Sequence, residues 1–255
     1  MIKTEQIKQQ CKQLKLSAIA NNLDDMVRNA QDNQVTYACF VKSLVELEIA
    51  HRMEKDRQRR TKQARLPLNY NLDLYDHSFA NGLGKKQLAQ LRELSWLEQN
   101  YNVILMGPSG TGKTFIAAGL CFDAVEQGYR AYFKSMEDLV TMLRRKDTVR
   151  TAAAEYARIM KSHLLVIDDI MMFPVKKDDA VAFFNLINDL HERVSLIITT
   201  NKSPKQWADV LQDSVLTTAI LDRILYRCEV IKLEATESYR MKNRKTIFGN
   251  DEKLE

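Results

Sequence analysis

The sequence predicts an α/β domain with a five-stranded parallel sheet, preceded by a small domain made only of helices. Three observations favour this fold class. Five short apolar runs alternate with helical stretches from residue 102 onward, as in parallel strands joined by crossover helices. A complete glycine-rich loop, residues 107–114, joins the first run to an apolar helix. Residues 1 to about 65 instead carry apolar side chains at helical spacing.

Composition fits a folded chain without a membrane segment. The chain has 255 residues, of which 45% are hydrophobic and 28% charged, and its net charge is +5. No apolar run approaches the roughly 18 residues of a membrane span, and the polar N-terminus lacks the apolar core of a signal peptide. The four cysteines are scattered: Cys11, Cys39, Cys121 and Cys228. We expect a cytoplasmic protein with reduced thiols, no zinc site and no membrane partner.

The first domain is expected to span residues 1–66 and to end in a basic helix. Apolar residues such as Ile7, Cys11 and Leu14 recur at helical spacing, and a longer helix is expected from Thr36 to Leu66. Seven basic residues oppose two acidic ones from residue 52 to 65. The run is either a solvated helix face or a contact to phosphates of duplex DNA. The candidate DNA contacts here are Arg52, Lys55, Arg59, Arg60 and Lys62.

The second domain is expected to span residues 67–255, because Pro67 disfavours continuation of the helix. A connector follows with Leu72, Leu74, Tyr75 and Phe79, which are either core residues or the apolar slot for a nucleobase. A helix is then expected from about Lys85 to Gln99. The five apolar runs follow as predicted strands: Val103–Met106, Arg130–Phe133, Leu164–Ile167, Leu196–Thr199 and Glu229–Leu233.

The glycine-rich loop is the strongest motif in the sequence. It reads Gly-x-x-x-x-Gly-Lys-Thr between a predicted strand and a predicted helix, which is the context that phosphate binding requires. Backbone N–H groups and the helix N-terminus would face the phosphates. Lys113 would reach the β- and γ-phosphates, and the Thr114 hydroxyl would hold Mg²⁺. The predicted nucleotide-binding residues are Gly107, Pro108, Ser109, Gly110, Thr111, Gly112, Lys113 and Thr114.

Polar side chains follow two later strands. Asp168 and Asp169 end an apolar run, and Asn201 follows the next one. Because strand ends in a parallel sheet share one crevice, these residues are expected beside the loop. We expect Asp168 to bind Mg²⁺, Asp169 to polarise the attacking water, and Asn201 to orient that water or contact the γ-phosphate. The alternatives are that the acids cap a following helix and that Asn201 is a turn residue.

These motifs occur in a fixed order with the stretch Ala219–Arg223 near the end of the chain. Together they resemble the P-loop AAA+ ATPases of the initiator and helicase-loader group, and within that group the IstB-type ATP-binding helpers of bacterial insertion-sequence transposition. The resemblance implies ATP and Mg²⁺ as cofactors, ATP hydrolysis, and a ring or spiral homo-oligomer on duplex DNA with a transposase as partner. A DnaC-type loader of a replicative helicase and a P-loop kinase for a small metabolite are the alternatives.

The resemblance also implies roles for single residues. Thr200 and Asn201 correspond to sensor 1, and Arg223 corresponds to the arginine finger, which acts on ATP held by a neighbouring subunit. The alternative for Arg223 is an ion pair with Asp222 or Asp213. Between the second and third strands the group carries a helix that faces DNA. The DNA-contact candidates there are Arg144, Arg145, Lys146, Arg150, Arg158 and Lys161.

Two features depart from the family's pattern. Asp169 stands where the family usually has glutamate, and a carboxylate drawn back by about an ångström can slow a reaction on the order of 100-fold. About twenty residues follow the last predicted strand, too few for a full C-terminal lid. We therefore expect slow hydrolysis or a mainly ATP-bound switch, and Arg240 as a substitute for a lid-borne second sensor.

Overall fold

The computed structural model describes residues 4–79, 82–170, 176–211, 213–234 and 238–242. The chain divides into two compact units between Arg59 and Arg60, a point inside a long helix. The sequence instead places the domain boundary just after that helix, at Leu66 and Pro67. The domain limits 1–66 and 67–255 stay a prediction.

The N-terminal unit is helical, as predicted. Its helices are α1 (Thr4–Gln13), α2 (Ser17–Asp32) and α3 (Tyr37–Ala64), the last of which continues past the unit's end. A small core of Cys11, Ile19, Ala20 and Leu23 holds α1 and α2 together. The helix α3 ends at Ala64 because Arg65 has a left-handed backbone (φ +54°) and Pro67 follows closely.

A buried glutamate joins α2 to α3. One carboxylate oxygen of Glu48 accepts hydrogen bonds from the N–H groups of Ala18 (2.9 Å) and Ile19 (3.3 Å), in the first turn of α2. The other accepts one from Arg52 Nε at 3.1 Å. Burial raises the pKa of Glu48, but the hydrogen bonds from Arg52 and the two backbone groups outweigh it and hold the pKa below its ordinary value. The carboxylate therefore caps α2 in its charged form.

The second unit is built on a five-stranded sheet. All neighbouring strands are parallel, in the order β2-β3-β4-β1-β5, which confirms the predicted sheet. The strands are β1 (Asn102–Met106), β2 (Ala131–Ser135), β3 (Leu164–Asp168), β4 (Ser195–Thr200) and β5 (Cys228–Lys232). The helices are α4 (Lys85–Arg92), α5 (Ser95–Glu98), α6 (Lys113–Glu126), α7 (Met136–Arg145), α8 (Arg150–Ile159), α9 (Lys177–Leu190), α10 (Pro204–Leu211), α11 (Ser214–Leu225) and α12 (Tyr239–Lys242).

One predicted helix is wrong in detail. The expected helix from Lys85 to Gln99 is two short helices, α4 and α5. Leu94, between them, has a left-handed backbone (φ +59°) and is buried at 1% exposure. Burial of the leucine side chain outweighs the strain of that conformation, and a leucine gives no local signal for such a break.

Both faces of the sheet are buried, which explains the continuous apolar runs. Ile104, on β1, belongs to a core that also contains α7, α9 and α11. Its neighbours Val103 and Leu105 belong to a second core with α4 and α6. Because β4 lies between β1 and β3, the ends of these three strands meet at one edge of the sheet. That edge carries the glycine loop and the acidic pair.

We predict that Glu48→Gln lowers the free energy of unfolding of the N-terminal unit by about 1–2 kcal/mol at neutral pH, since the amide loses a charged acceptor for Arg52. The folded pKa lies below the ordinary one. The advantage of the parent is therefore present above the ordinary glutamate value of about 4.3 and is lost as the pH falls through the folded pKa.

Thermal unfolding measures the loss, and hydrogen exchange in α2 assigns it to this unit. The matched control is Glu46→Gln, which removes only an exposed pair with Lys42. A difference between parent and Glu48→Gln that persists unchanged at acidic pH contradicts the prediction.

Candidate nucleotide-binding and catalytic site

The glycine-rich loop leaves β1 at Met106 and enters α6 at Lys113. Two of its glycines leave no space for a side chain. A Cβ atom at Gly107 would lie 2.0 Å from the carbonyl oxygen of Leu233, and one at Gly110 would lie 1.9 Å from Ser238 Oγ. Gly110 also has φ +83°, which other residues adopt only with strain. The loop is thus held against the chain that follows β5.

The lysine of the loop is largely buried. Lys113 Nζ donates hydrogen bonds of 2.7 Å to the carbonyl oxygens of Gly107 and Pro108. Burial lowers the pKa of Lys113, and the nearby carboxylates of Asp169 and Asp168 act in the opposite direction. The ammonium group therefore lies inside the loop, where its charge can meet a phosphate.

The next residue connects the loop to β3. Thr114 Oγ1 donates a hydrogen bond of 3.0 Å to Asp168 Oδ1. Asp168 is buried, and burial raises the pKa of its carboxyl group although hydrogen bonds from Thr199 and Thr114 lower it. A hydroxyl and a carboxylate oxygen at this distance are hard donors that suit Mg²⁺.

The donor set fits Mg²⁺ better than a metal held in a protein cage. Among the parts of the chain that the structure describes, no group of three His, Cys, Asp or Glu side chains is arranged to hold a metal. Mg²⁺ is commonly bound by one or two protein groups together with phosphates and water. Thr114 and Asp168 are the two groups available here.

The second acid has an unusual backbone. Asp169 has φ +54°, a conformation that aspartate tolerates better than most residues. Its N–H group donates a hydrogen bond of 2.9 Å to Thr199 Oγ1, and its side chain borders the cavity that contains the loop. Asn201 lies one residue beyond β4 and is exposed.

The cavity beside the loop has a volume of about 930 Å³. One wall is the loop, from Ser109 to Thr114, with Asp169 and Arg240. Six aromatic residues also border the cavity, here called its aromatic wall: Tyr70, Tyr75, Phe79, Phe115, Phe122 and Tyr239. The ring of Tyr75 stacks against that of Phe115, with centroids 6.4 Å apart.

The connector residues divide between the two roles that the sequence left open. Leu72 is core, because it is buried and packs so closely on α6 that a Cβ at Gly119 would lie 2.2 Å from it. Leu74, Tyr75 and Phe79 line the cavity. The cavity can therefore offer an apolar slot next to a phosphate loop.

Arg223 lies on α11 and is not among the residues that border this cavity in the described structure. Its Nε donates to Asn188 Oδ1 and its Nη1 to the carbonyl of Ala219, both at 2.9 Å. The guanidinium group lies 4.9 Å from the centre of the Phe184 ring. These contacts differ from the ion pairs with Asp222 or Asp213 that the sequence left as alternatives, and Asp213 instead caps α11.

The predicted DNA contacts are not equally available. Arg144 forms a double hydrogen bond with the buried Asp179. Arg52 is bonded to Glu48 and to the carbonyl of Lys15. Arg60 donates to the carbonyl of Val125 at 3.4 Å, and Arg59 pairs with Asp56 at 2.9 Å. The candidates that are exposed and make none of the bonds to Glu48, Asp179 or Val125 are Lys55, Arg59, Lys62, Arg145, Arg150, Arg158 and Lys161.

Residues 9–247 match the family of IstB-like ATP-binding proteins. The chain belongs to this family. An ATP-binding protein of an IS21-like insertion sequence from Bacteroides fragilis is 49% identical over 237 residues, covering 93% of this chain and 90% of that protein. The insertion sequence IS21 ATP-binding protein of Pseudomonas aeruginosa is 31% identical, covering 91% and 87%. The family expected from the motifs is therefore confirmed.

The IstB-like chain shares its fold with a solved helicase loader. The crystal structure of the DnaC helicase loader superimposes with a TM-score of 0.54 at 18% identity, over 66% of this chain and 98% of that one. This likeness shows the AAA+ P-loop fold. No helix within the described ranges is long and apolar enough to cross a bilayer.

One residue of the site was not predicted. Thr199 donates to Asp168 and accepts from Asp169, whereas in the sequence it is only the last residue of a predicted strand. Its role follows from the position of β4 beside β3, and strand order cannot be deduced from local patterns. The signal that was available is a hydroxyl side chain at the end of the apolar run Leu196–Ile198, directly before Thr200 and Asn201.

We predict that Lys113→Ala weakens ATP binding more than about 10-fold, because a charge-assisted hydrogen bond contributes about 1.5–3 kcal/mol. Isothermal titration calorimetry of the full chain measures the affinity. Lys85→Ala, at an exposed position at the start of α4, is the control. An unchanged affinity in Lys113→Ala, with the fold intact by circular dichroism, contradicts a phosphate role for this lysine.

Proposed function

We propose that this protein is an ATP- and Mg²⁺-dependent ATPase that assembles on duplex DNA and assists a transposase. The observation that carries the proposal is the bond between Thr114 and the buried Asp168 at the mouth of the glycine loop. It joins a buried carboxylate to the glycine loop, and the loop, including Thr114, borders a cavity large enough for a nucleotide. Membership of the IstB-like family supports it.

In this proposal each wall of the cavity binds one part of ATP. The loop N–H groups and Lys113 bind the triphosphate, and the aromatic wall around Tyr75 and Phe115 stacks on the base. Mg²⁺, held by Thr114 and Asp168, would neutralise charge on the phosphates. Asp169 accepts a hydrogen bond from the attacking water, and Asn201 fixes the direction of that water.

Hydrolysis is expected to be slow. Asp169 has a shorter side chain than the family's usual glutamate, so its carboxylate is drawn back from the phosphates. Its left-handed backbone favours aspartate, and a longer side chain at this position would have to adopt the same strained conformation. A slow turnover suits a protein whose ATP-bound assembly is the active species.

Arg223 is proposed to act in trans. It does not border its own cavity, and its bonds to Asn188 and Ala219 together with the Phe184 ring hold the guanidinium on the surface of α9. A neighbouring subunit packed head to tail would receive this charge at its own triphosphate. The active species is then a homo-oligomer.

The transposase is favoured over a replicative helicase as the partner. Relatives with 49% and 31% identity are ATP-binding proteins of insertion sequences. The DnaC helicase loader is similar in fold, at 18% identity. Co-purification with a transposase of an IS21-like insertion sequence, compared with a replicative helicase, tests the choice. Binding to the helicase alone would reverse it.

We predict that Arg223→Ala subunits and Lys113→Ala subunits, each inactive alone, recover part of the ATPase activity when mixed. Random mixing in a head-to-tail assembly pairs an intact loop with an intact finger at roughly a quarter of the interfaces. The assay is ATP turnover with duplex DNA over a series of mixing ratios. Arg227→Ala, four residues beyond Arg223, should behave like the parent. No recovery in assemblies shown to contain both subunits excludes action in trans.

A further prediction concerns duplex DNA. Replacing the exposed Lys55, Arg59 and Lys62 by alanine should weaken binding and reduce the log–log salt slope by up to about 2.7, since each phosphate contact contributes about 0.9. ATP should strengthen binding by the parent, because assembled subunits repeat weak backbone contacts along one duplex. Fluorescence anisotropy at several salt concentrations measures both effects.

The control variant has the same change in charge elsewhere in the N-terminal unit: Lys12, Arg28 and Lys42 replaced by alanine. Equal effects of the two triple variants would mean that only net charge matters. No effect of the first would transfer the DNA contact to the exposed Arg145 and Arg158.

A further inference from the structure

Thr199 is the second-last residue of β4 and lies beside the acidic pair. In the sheet register it lies opposite Leu105 of β1, and Ile198 before it lies opposite Ile167 of β3. This places Thr199 next to Asp168. Its side chain is fully buried and does not border the nucleotide cavity, so it cannot be recognised as a site residue from the cavity alone.

The hydroxyl group of Thr199 has a fixed direction. Its single proton is donated to Asp168 Oδ1, at 2.5 Å, so a lone pair accepts the N–H of Asp169, at 2.9 Å. The carbonyl oxygen of Thr199 accepts the N–H of Ile170 at 3.0 Å. One residue thus bonds to three consecutive residues of the turn that leaves β3.

These bonds determine the geometry of both acids. Thr199 and Thr114 both donate to Oδ1 of Asp168, which fixes the plane of the carboxylate and leaves Oδ2 without a recorded hydrogen bond in the described structure. The bond to the Asp169 N–H supports the left-handed backbone at that residue, which directs its side chain to the cavity. Neither effect needs contact between Thr199 and a nucleotide.

We propose that Thr199 is a positioning residue that holds Asp168 and Asp169 in the geometry needed for Mg²⁺-dependent binding and hydrolysis of ATP. The proposal rests on the ATPase function proposed above. Replacing the hydroxyl by a methyl group would leave the Asp169 N–H without its acceptor and Asp168 with one hydroxyl donor instead of two. The acids would then relax while the loop and Lys113 stay in place.

The hydroxyl of the next residue, Thr200, makes different hydrogen bonds. Thr200 Oγ1 accepts from the N–H of Lys202 and donates to the carbonyl of Ile170 or Lys202. It supports the exit of β4 and makes no bond to either acid.

Ser195, at the start of the same strand, has a buried hydroxyl with no partner in the described residues. Removing that hydroxyl provides a matched control.

The experiment compares Thr199→Val, Thr199→Ser and Ser195→Ala with the parent in the full chain. Calorimetry gives the affinity for ATP with Mg²⁺ and with EDTA, and single-turnover assays give the hydrolysis rate. We expect Thr199→Val to keep the affinity in EDTA within about 3-fold, to lose most of the gain from Mg²⁺, and to hydrolyse on the order of 10- to 100-fold more slowly. Thr199→Ser, which keeps the hydroxyl, should restore both values, and Ser195→Ala should match the parent.

The outcomes separate this proposal from the proposed function. If the parent binds ATP but does not hydrolyse it with or without DNA, the ATPase function fails, and the Mg²⁺-dependent gain in affinity still tests Thr199. A parent-like gain and rate in Thr199→Val overturn the positioning role. So does a Thr199→Ser variant as impaired as the valine one. If Thr199→Val does not fold, Thr199→Ala removes the same bonds without adding a buried methyl group in place of the hydroxyl.

Discussion

The site depends on one buried carboxylate, that of Asp168, held between hydroxyl groups from two different elements. Thr114 reaches it from α6 and Thr199 reaches it from β4. Burial disfavours the charged form of Asp168 and raises its pKa. The two hydrogen bonds offset part of the free energy needed to bury the carboxylate, and the rest must come from other interactions in the fold. Mg²⁺ bound to this carboxylate, as proposed, would supply a positive charge that offsets the remaining free energy of burial. The apolar layers on both faces of the sheet stabilise the fold enough to tolerate the buried carboxylate.

Much of the fold follows from the sequence because its strands are buried on both sides. Such strands give uninterrupted apolar runs, and the glycine loop identifies which run is β1. The break between α4 and α5 was not predictable, because Leu94 adopts its left-handed conformation for reasons of packing that lie far away in sequence. Thr199 was missed for a related reason. Its partners are defined by strand order, which depends on the whole sheet and not on neighbours in the chain.

A count of basic residues along the sequence overstates how many basic side chains are available to contact DNA. Among the basic residues chosen as DNA candidates, Arg52 serves the cap on α2, Arg144 serves the buried Asp179, and Arg60 is bonded to a main-chain carbonyl. A guanidinium group has five donors, so it is readily recruited by carboxylates and carbonyls nearby. Lysines 55 and 62 are exposed, and their compact charges are better suited to non-specific contact with phosphates. Fewer of the predicted DNA-contact residues are therefore free of bonds within the protein than the sequence suggests.

The left-handed backbone at Asp169 also limits how this position can change over evolutionary time. Glutamate is one base away in the codon, but outside glycine and the Asn/Asp pair a left-handed residue costs roughly 1–2 kcal/mol. Asparagine is also one base away, fits the same backbone and removes the charge. Under the proposed role of Asp169, a single transition in this codon would remove the carboxylate that polarises water, while asparagine tolerates the same backbone conformation.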